Sequence, residues 1–376
     1  MQDNKKKDNS EPRFHDTILN DIRRGDFRSS VSRDFRDMKS FYIDEERKRR
    51  LDSMGRFRKF FWMIGLGFKS LYFKLIPARR ILLLIALAVF VFTLNSNRIA
   101  YDDEGDRVQV HSINLGPAAA FLLVLFILML ELKDKLIARN ELEAGRRVQT
   151  KMMPESNPVI DGWEVWLYTR PARDVGGDMV DYLEKSPGKY YLAQADVAGK
   201  GLGAALFMVK LQATLRALAP DIEDPADIGS KMNEIFYRDS TPKDFASMAY
   251  VELAENKGKV EIMNAGHMPP ILVHGGRLRE IRSRAPALGL MRRFKYGSTT
   301  LELNANDLLI IYSDGITEAR SDAGGFFGEE RLKAIIKNSR NTSANHVGNH
   351  IIEAVHRYMG DSPSSDDHSL IILRKK

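Results

Sequence analysis

Cysteine is absent from all 376 residues, and that omission removes several kinds of chemistry. Disulfide scaffolds, thiolate zinc sites, iron–sulfur clusters and cysteine nucleophiles are all excluded. An excess of positive charge is also missing beyond the N-terminal stretch. Residues 1–80 hold 21 Lys/Arg against 12 Asp/Glu, a net of +9, so the whole-chain net of +7 leaves the remainder at −2. A uniformly basic nucleic-acid binder is not built this way, and no nucleic-acid partner is expected. The basic excess lies directly before an apolar block, an arrangement suited to a membrane surface.

Two long runs lack charge altogether: residues 81–94 (ILLLIALAVFVFTL) and residues 113–130 (INLGPAAAFLLVLFILML). A spanning helix needs roughly 20 apolar residues, with about 17 as a lower limit. The second run meets that limit. The first is extended by Ala78, Asn95 and Ser96, with Arg79 and Arg80 placed to snorkel. Basic residues dominate before the first run and after the second, whereas the 97–112 connection carries Asp102, Asp103, Glu104 and Asp106 against Arg98 and Arg107. The positive-inside rule then puts both termini in the cytoplasm, around a two-helix hairpin in the lipid bilayer. Residues 57–76 read as an interfacial helix, or alternatively as an amphipathic helix packed on protein. Residues 1–50 are charged and poor in large aliphatic side chains, and partial disorder is expected there.

After the second run, Leu132, Leu136, Leu142 and Val148 fall near one helical stripe, interrupted by Arg139 and Gly145. A short parallel coiled coil and a solvated helix are both open readings. Pro154 and Pro158 end this helix. The expected organisation is therefore a basic N-terminal region (1–76), a transmembrane hairpin (77–132), a helical linker (133–154) and a catalytic domain (155–376).

The chemistry of that domain rests on aspartates at strand ends. Residues 190–195 read as a strand that ends at Asp196, followed by the turn Gly199-Lys200-Gly201 and a helix over 203–219. Residues 308–312 form a second strand, followed by Ser313-Asp314-Gly315. Asp366 and Asp367 precede a terminal strand over 369–373, and Gly176-Gly177-Asp178 closes a segment that opens with a strand over 163–168. One aspartate at a strand end is an ordinary turn residue. Four such positions, three of them with glycine within three residues, bring carboxylates together that repel unless a cation neutralises them. Oxygen ligands without His or Cys select Mg²⁺ or Mn²⁺ over zinc, and two such ions about 4 Å apart suit phosphoryl chemistry. Phosphatase, nuclease and cyclase all remain open on these grounds.

The segments ELEAGRRVQTKMMPE, ARDVGGDMVDY, ADVAGKGLGAALFM, MAYVELAENKGKVEIMNAGHMPPILV, APALGL, DLLIIYSDGITEAR and DDHSLIIL resemble, in order, the SpoIIE/RsbU-type branch of the PPM metal-dependent serine/threonine phosphatases. The resemblance covers about residues 141–376. It implies an α+β fold, an α-β-β-α sandwich of two antiparallel sheets flanked by helices, with two Mn²⁺ or Mg²⁺ ions at one edge. It implies Asp196 as the bridging ligand with the Val197 carbonyl beside it, Asp178 at one metal, and Asp314 and Asp366 at the other, with Asp367 as the alternative to Asp366. Phosphoserine or phosphothreonine would be hydrolysed by a metal-activated water without a phospho-enzyme.

Arg173 is the candidate for binding substrate phosphate. Asp181 is a further acidic candidate whose plainer role is a hydrogen bond supporting the loop. His267 is expected to make a supporting hydrogen bond, with proton donation to the leaving hydroxyl as the alternative, and His368 stands where the family commonly has an apolar residue. Kinship further implies a phosphorylated STAS-type anti-anti-sigma protein as substrate, in bacterial partner-switching signalling, a homodimer formed through the linker, and regulation by a switch helix at the start of the domain. Two competing readings are a catalytically inactive, membrane-tethered binding module and a nucleotide cyclase. The cyclase reading rests on Gly-Gly-Asp alone, because the Glu-Phe that should follow is missing.

Overall fold

The computed structural model describes residues 72–73, 75–94, 99–101, 107–109, 115–239, 244–339 and 342–376. The expectations for residues 1–50 and for most of the 57–76 helix lie outside the described residues. The chain divides into two units, Met1–Asp134 and Lys135–Lys376.

In the first unit, helix α1 (Pro77–Leu94) opens on proline, whose missing N–H costs nothing in a first helical turn. The connection expected as a plain loop contains a small antiparallel hairpin, β1 (Ile99–Tyr101) with β2 (Arg107–Gln109), in which Ala100 faces Val108. Helix α2 (Gly116–Met152) follows, and among the described residues it is the one helix long and apolar enough to cross a membrane. Residues 81–94 are helical too, but a second span is not shown. Leu83, Ala86, Leu87, Pro117, Ala120 and Val124 line a groove shared by α1 and α2. The small Ala86 and Ala120 are buried, while Ile81, Phe92, Leu122 and Phe126 are exposed. Arg79 does not snorkel. It is buried, and its guanidinium donates to Glu131 at 2.6 Å and to Asp134 at 2.5 Å, a partnership across more than 50 residues of chain that local pattern cannot reveal.

Helix α2 runs through Gly145 and stops at Met152, two residues before Pro154, as the proline signal predicts. Along it Leu132, Leu136 and Val148 are exposed.

The second unit is built on strands β3 (Val159–Ile160), β4 (Trp163–Arg170), β5 (Met179–Ser186) and β6 (Lys189–Val197), then helices α3 (Leu202–Leu218) and α4 (Pro225–Asp239). Next come β7 (Ala246–Ala254), β8 (Lys259–Ala265), β9 (Ile271–His274), β10 (Arg277–Glu280), β11 (Ser298–Glu302) and β12 (Leu308–Tyr312). The chain ends with the single turn α5 (Asp314–Thr317), helices α6 (Glu329–Asn338) and α7 (Ala344–Met359), and strand β13 (His368–Lys375). One antiparallel sheet has the order β10-β9-β12-β13-β4-β3, and the other β11-β8-β7-β6-β5.

Three cores show why the strands read as nearly unbroken apolar runs. In β12, Leu309 and Ile311 join Ile371, Leu373, Val165 and Leu167 of their own sheet and Leu192, Val251 and Ile262 of the other, forming the core between the sheets. The alternate residues Leu308, Ile310 and Tyr312 pack with Leu332, Val347, Ile351 and Val355 of α6 and α7. The second sheet behaves likewise: Tyr191, Ala193 and Ala195 face Leu211, Leu215, Met232 and Phe236 of α3 and α4. Successive side chains in a strand point to opposite faces, so a sheet covered on both faces needs apolar residues at every position. The result is the expected α-β-β-α layering.

Candidate active site

Two pairs of neighbouring strand ends supply the acidic residues. Strands β5 and β6 pair with Met179 opposite Ala195, so the next step along places Asp178 across from Asp196. Strands β12 and β13 pair with Tyr312 opposite Leu370, and just beyond that pair lie Asp314 at the start of α5 and Asp366-Asp367 ahead of β13. One pair comes from each sheet. Packing the sheets face to face therefore brings four separate stretches of chain to a single edge.

Hydrogen bonds stitch that edge together. The Gln194 side chain donates to the Ser369 carbonyl across the sandwich at 3.0 Å, and Ser369 N–H donates to Ser313 Oγ at 3.0 Å. Asp367 is buried and accepts from the backbone N–H groups of Ala172 (2.7 Å), Gly177 (2.6 Å) and Asp178 (3.2 Å). It ties the Gly-Gly-Asp loop to the end of β13. The glycines are required by close approach: a Cβ on Gly315 would stand 1.9 Å from the Asp367 carbonyl oxygen, and one on Gly176 2.5 Å from an Asp367 carboxylate oxygen. The Gln149 side chain, near the end of α2, donates to the Gly176 carbonyl at 2.9 Å and accepts from its N–H at 3.3 Å.

The electrostatics are those of an under-neutralised acidic cluster. Burial, then the charges of Asp314, Asp366 and Asp367, push Asp196 up to about 7. Burial and then Asp196 raise the carboxyl of Asp178 well above its ordinary value, and burial followed by Asp366 raises Asp314. Asp178 Oδ2 is buried with no hydrogen-bond partner. Within the set, Lys200 Nζ to Asp366 Oδ2 at 2.7 Å is the one ion pair among the described residues. Among the described residues no three such side chains are gathered closely enough to hold a metal ion as they stand. The donor set is nonetheless one that a hard cation satisfies: all oxygen, mutually repulsive, with the buried Asp178 Oδ2 accepting no hydrogen bond.

The structure gathers Asp178, Asp196, Asp314 and Asp366 at one edge and adds the Val197 carbonyl, which a Cβ on Gly177 would approach to 3.3 Å. Asp196 is the penultimate residue of β6 rather than the residue after it. Arg173 is exposed.

Asp181 belongs to a different construction. It is fully buried in β5 and accepts from Arg216, Gln212 and Tyr191, so it anchors a helix rather than a loop. His267 is buried; its Nδ1 lies 2.7 Å from Ser247 Oγ, and burial pulls its pKa down to about 4, which favours the neutral ring. His368, also buried, is lowered to about 4 by burial and then by His356. Gln149, Gln212 and Arg216 were not singled out from sequence. Nothing local marks them, because their partners lie 27 to 64 residues away.

Comparison with known proteins places this architecture. The chain is 29% identical over 230 residues to protein IcfG of Synechocystis sp., a match that covers 54% of this chain and 36% of that protein. It is 24% identical over 240 residues to phosphoserine phosphatase RsbU of Bacillus subtilis, covering 63% of this chain and 71% of that one. The chain thus spans about a third of the first relative's length and under three-quarters of the second's. The SiaA-PP2C domain of Pseudomonas aeruginosa superposes with a TM-score of 0.57 at 17% identity, over 65% of this chain and 99% of that domain; this likeness shows the fold. Residues 186–376, half of the chain and three of the four acidic stretches, match the sequence model of stage II sporulation protein E. The chain belongs to the SpoIIE family, and its C-terminal domain is that of a protein serine phosphatase.

Proposed function

We propose that this chain is a membrane-anchored phosphatase that binds two divalent ions, Mn²⁺ or Mg²⁺, and removes phosphate from serine or threonine of a small phosphorylated regulator of STAS type. The observation that carries the reading is the meeting of Asp178, Asp196, Asp314 and Asp366 with, among the described residues, Lys200 as the paired counter-charge. Asp196 and the Val197 carbonyl would hold the shared position, Asp178 one ion, and Asp314 with Asp366 the other. Asp366 is preferred to Asp367 because three backbone N–H groups already occupy the Asp367 carboxylate. When bound, such ions supply Lewis acidity toward phosphoryl oxygens and lower the pKa of water. The chain's own contribution is orientation: Asp367 fixes the loop carrying Asp178, and neutral His267 holds Ser247. Arg173, exposed on the same loop, remains a candidate contact for the substrate.

The regulator as substrate follows from the likeness to phosphoserine phosphatase RsbU. The exposed Leu132, Leu136 and Val148 on α2 support a homodimer through the linker. With full-length chain in detergent, Mn²⁺ should support phosphate release from a phosphoserine peptide, and EDTA should stop it. No Mn²⁺ binding by calorimetry would leave a tethered binding module instead.

The anchor comprises two spans, α1 and the first half of α2, with both termini in the cytoplasm. It is supported by the exposed apolar faces of both helices and by the charge asymmetry around them. A reporter fused after Lys376 should behave as cytoplasmic and one inserted in the 97–112 connection should not. The opposite pattern overturns the orientation.

A further inference from the structure

A phosphate monoester entering this edge brings two negative charges into a cluster that is already anionic, and cations shared among four carboxylates leave it needing a further positive group. Lys200 is the basic side chain in place. It sits in the turn directly after β6, between Gly199 (φ 102°) and Gly201 (φ 77°), left-handed conformations suited to glycine. A Cβ on either glycine would meet nothing within 4 Å, so the turn is open on both sides. Lys200 Nζ donates to Asp366 Oδ2 at 2.7 Å and to the Ser365 carbonyl at 2.8 Å, while its side chain remains 47% exposed.

Beside it opens a groove of about 530 Å³ lined by Val197, Lys200, Leu206, Phe207, Lys210 and Asp239, among others. Lys210 is committed to the wall of that groove, 3.5 Å from Asp239 and over the Phe236 ring. Of the two lysines lining the groove, Lys200 is the one paired with a carboxylate of the site.

We infer that Lys200 binds the phosphate of the substrate, turning from Asp366 to the phosphoryl oxygens at the mouth of this groove. The inference rests on the phosphatase reading above. An ammonium on a flexible four-carbon stem reaches either partner by rotation alone. It would leave Asp366 when a divalent ion takes over neutralisation of that carboxylate. The occupant is a phosphoserine-bearing peptide segment, its phosphate on Lys200 and its flanking apolar side chains against Leu206, which is 62% exposed, and Phe207. The same Lys200–Asp366 contact makes the lysine a competitor of the ion, so removing it should leave ion affinity unchanged or higher.

The test uses full-length chain in detergent and calorimetric titration with Mn²⁺, then with inorganic phosphate on the Mn²⁺-loaded protein, for wild type, Lys200→Gln and Lys200→Arg. Loss of one charge-assisted contact predicts phosphate binding weaker by about 10- to 100-fold in Lys200→Gln. Lys200→Arg should retain most of the affinity, and Mn²⁺ binding should not weaken. KM for a phosphoserine peptide should rise in Lys200→Gln more than kcat falls. Phosphate affinity in Lys200→Gln equal to wild type overturns the inference. So does Mn²⁺ affinity falling in parallel, which would make Lys200 a support for Asp366. If wild type binds Mn²⁺ and hydrolyses the peptide in either case, the phosphatase reading stands without the inference; a wild type that binds no Mn²⁺ overturns both.

Discussion

Asp196→Asn is expected to lower phosphate release by about a thousandfold, comparable to or beyond the loss of a single preorganised electrostatic contact, and at the same time to raise the melting temperature of the metal-free protein. The two effects share one cause. Burial and three neighbouring carboxylates push the Asp196 pKa from 3.8 up to about 7. An acid with a folded-state pKa above its unfolded value binds protons more tightly in the native state. Its favourable contribution is complete below 3.8 and is lost as pH rises through about 7. Metal-free wild type should therefore melt at a lower temperature at pH 8 than at pH 5.5, and Mn²⁺ should offset the loss more at pH 8. Asparagine keeps the shape and removes the charge, so the metal-free variant should show a smaller pH dependence, the remainder coming from the raised carboxyls of Asp178 and Asp314, with Mn²⁺ stabilising it far less. Thermal melts at both pH values, with EDTA or Mn²⁺, read the result directly. A metal-free wild type that becomes more stable from pH 5.5 to 8, or a variant that still hydrolyses substrate, would sink the assignment of Asp196 to the centre of the site.

How far the site was legible depended on whether the signal was local. Asp196, Asp314 and the Asp366-Asp367 pair each stand beside an apolar run short enough to be a strand, and Gly177 and Gly315 mark where backbone comes close. Those patterns lie within a few residues, and the structure has β6, β12 and β13 where the runs place them. The layering was less accessible. The run LLIIY shows that both faces of β12 are covered, but not that Ile310 meets α7 while Ile311 meets the other sheet. The resemblance already implies Asp366 ahead of Asp367; the three backbone donors on Asp367 that support this proposal, the farthest of them 195 residues away in sequence, leave no local trace. The Gln149–Gly176 clasp and the Arg79 ion pairs belong to the same class. A polar side chain whose partner lies far along the chain leaves no periodic trace, since pattern reading works through spacing along one element.

Asp181 demonstrates the limit most clearly and carries the second large prediction. In sequence it lies three residues after Asp178 and looks like another acidic candidate. Asp178, however, stands one residue before β5 (Met179–Ser186), and the strand's alternation carries Asp181 to the helix-covered face, away from the edge where Asp178 lies. Asp181 points into the layer beneath α3, where it accepts from Tyr191 Oη (3.0 Å), Gln212 Nε2 (2.9 Å) and Arg216 Nη2 (2.6 Å). Gln212 and Arg216 also donate to the Met152 carbonyl at 2.9 and 3.0 Å, so one carboxylate organises both α3 and the last turn of α2.

Asp181→Ala would take the acceptor from the buried Tyr191 hydroxyl and leave the Gln212 amide and the Arg216 guanidinium with the Met152 carbonyl. Breaking a buried pair by removing one partner typically costs about 3–5 kcal/mol. The Arg216 side chain is 34% exposed and regains some water, which places this case near 3. For a domain of this size that corresponds to a melting point lower by about 6–12 °C. Asp181→Asn, which keeps one acceptor and the packing, should lose less. Because Asp181 stands apart from the carboxylate edge, peptide hydrolysis per folded molecule should survive both changes at temperatures well below the transition. If Asp181→Ala instead removed activity from a protein with wild-type stability, Asp181 would belong to the reacting centre, and the division between the anchoring and the cation-binding aspartates would have to be redrawn.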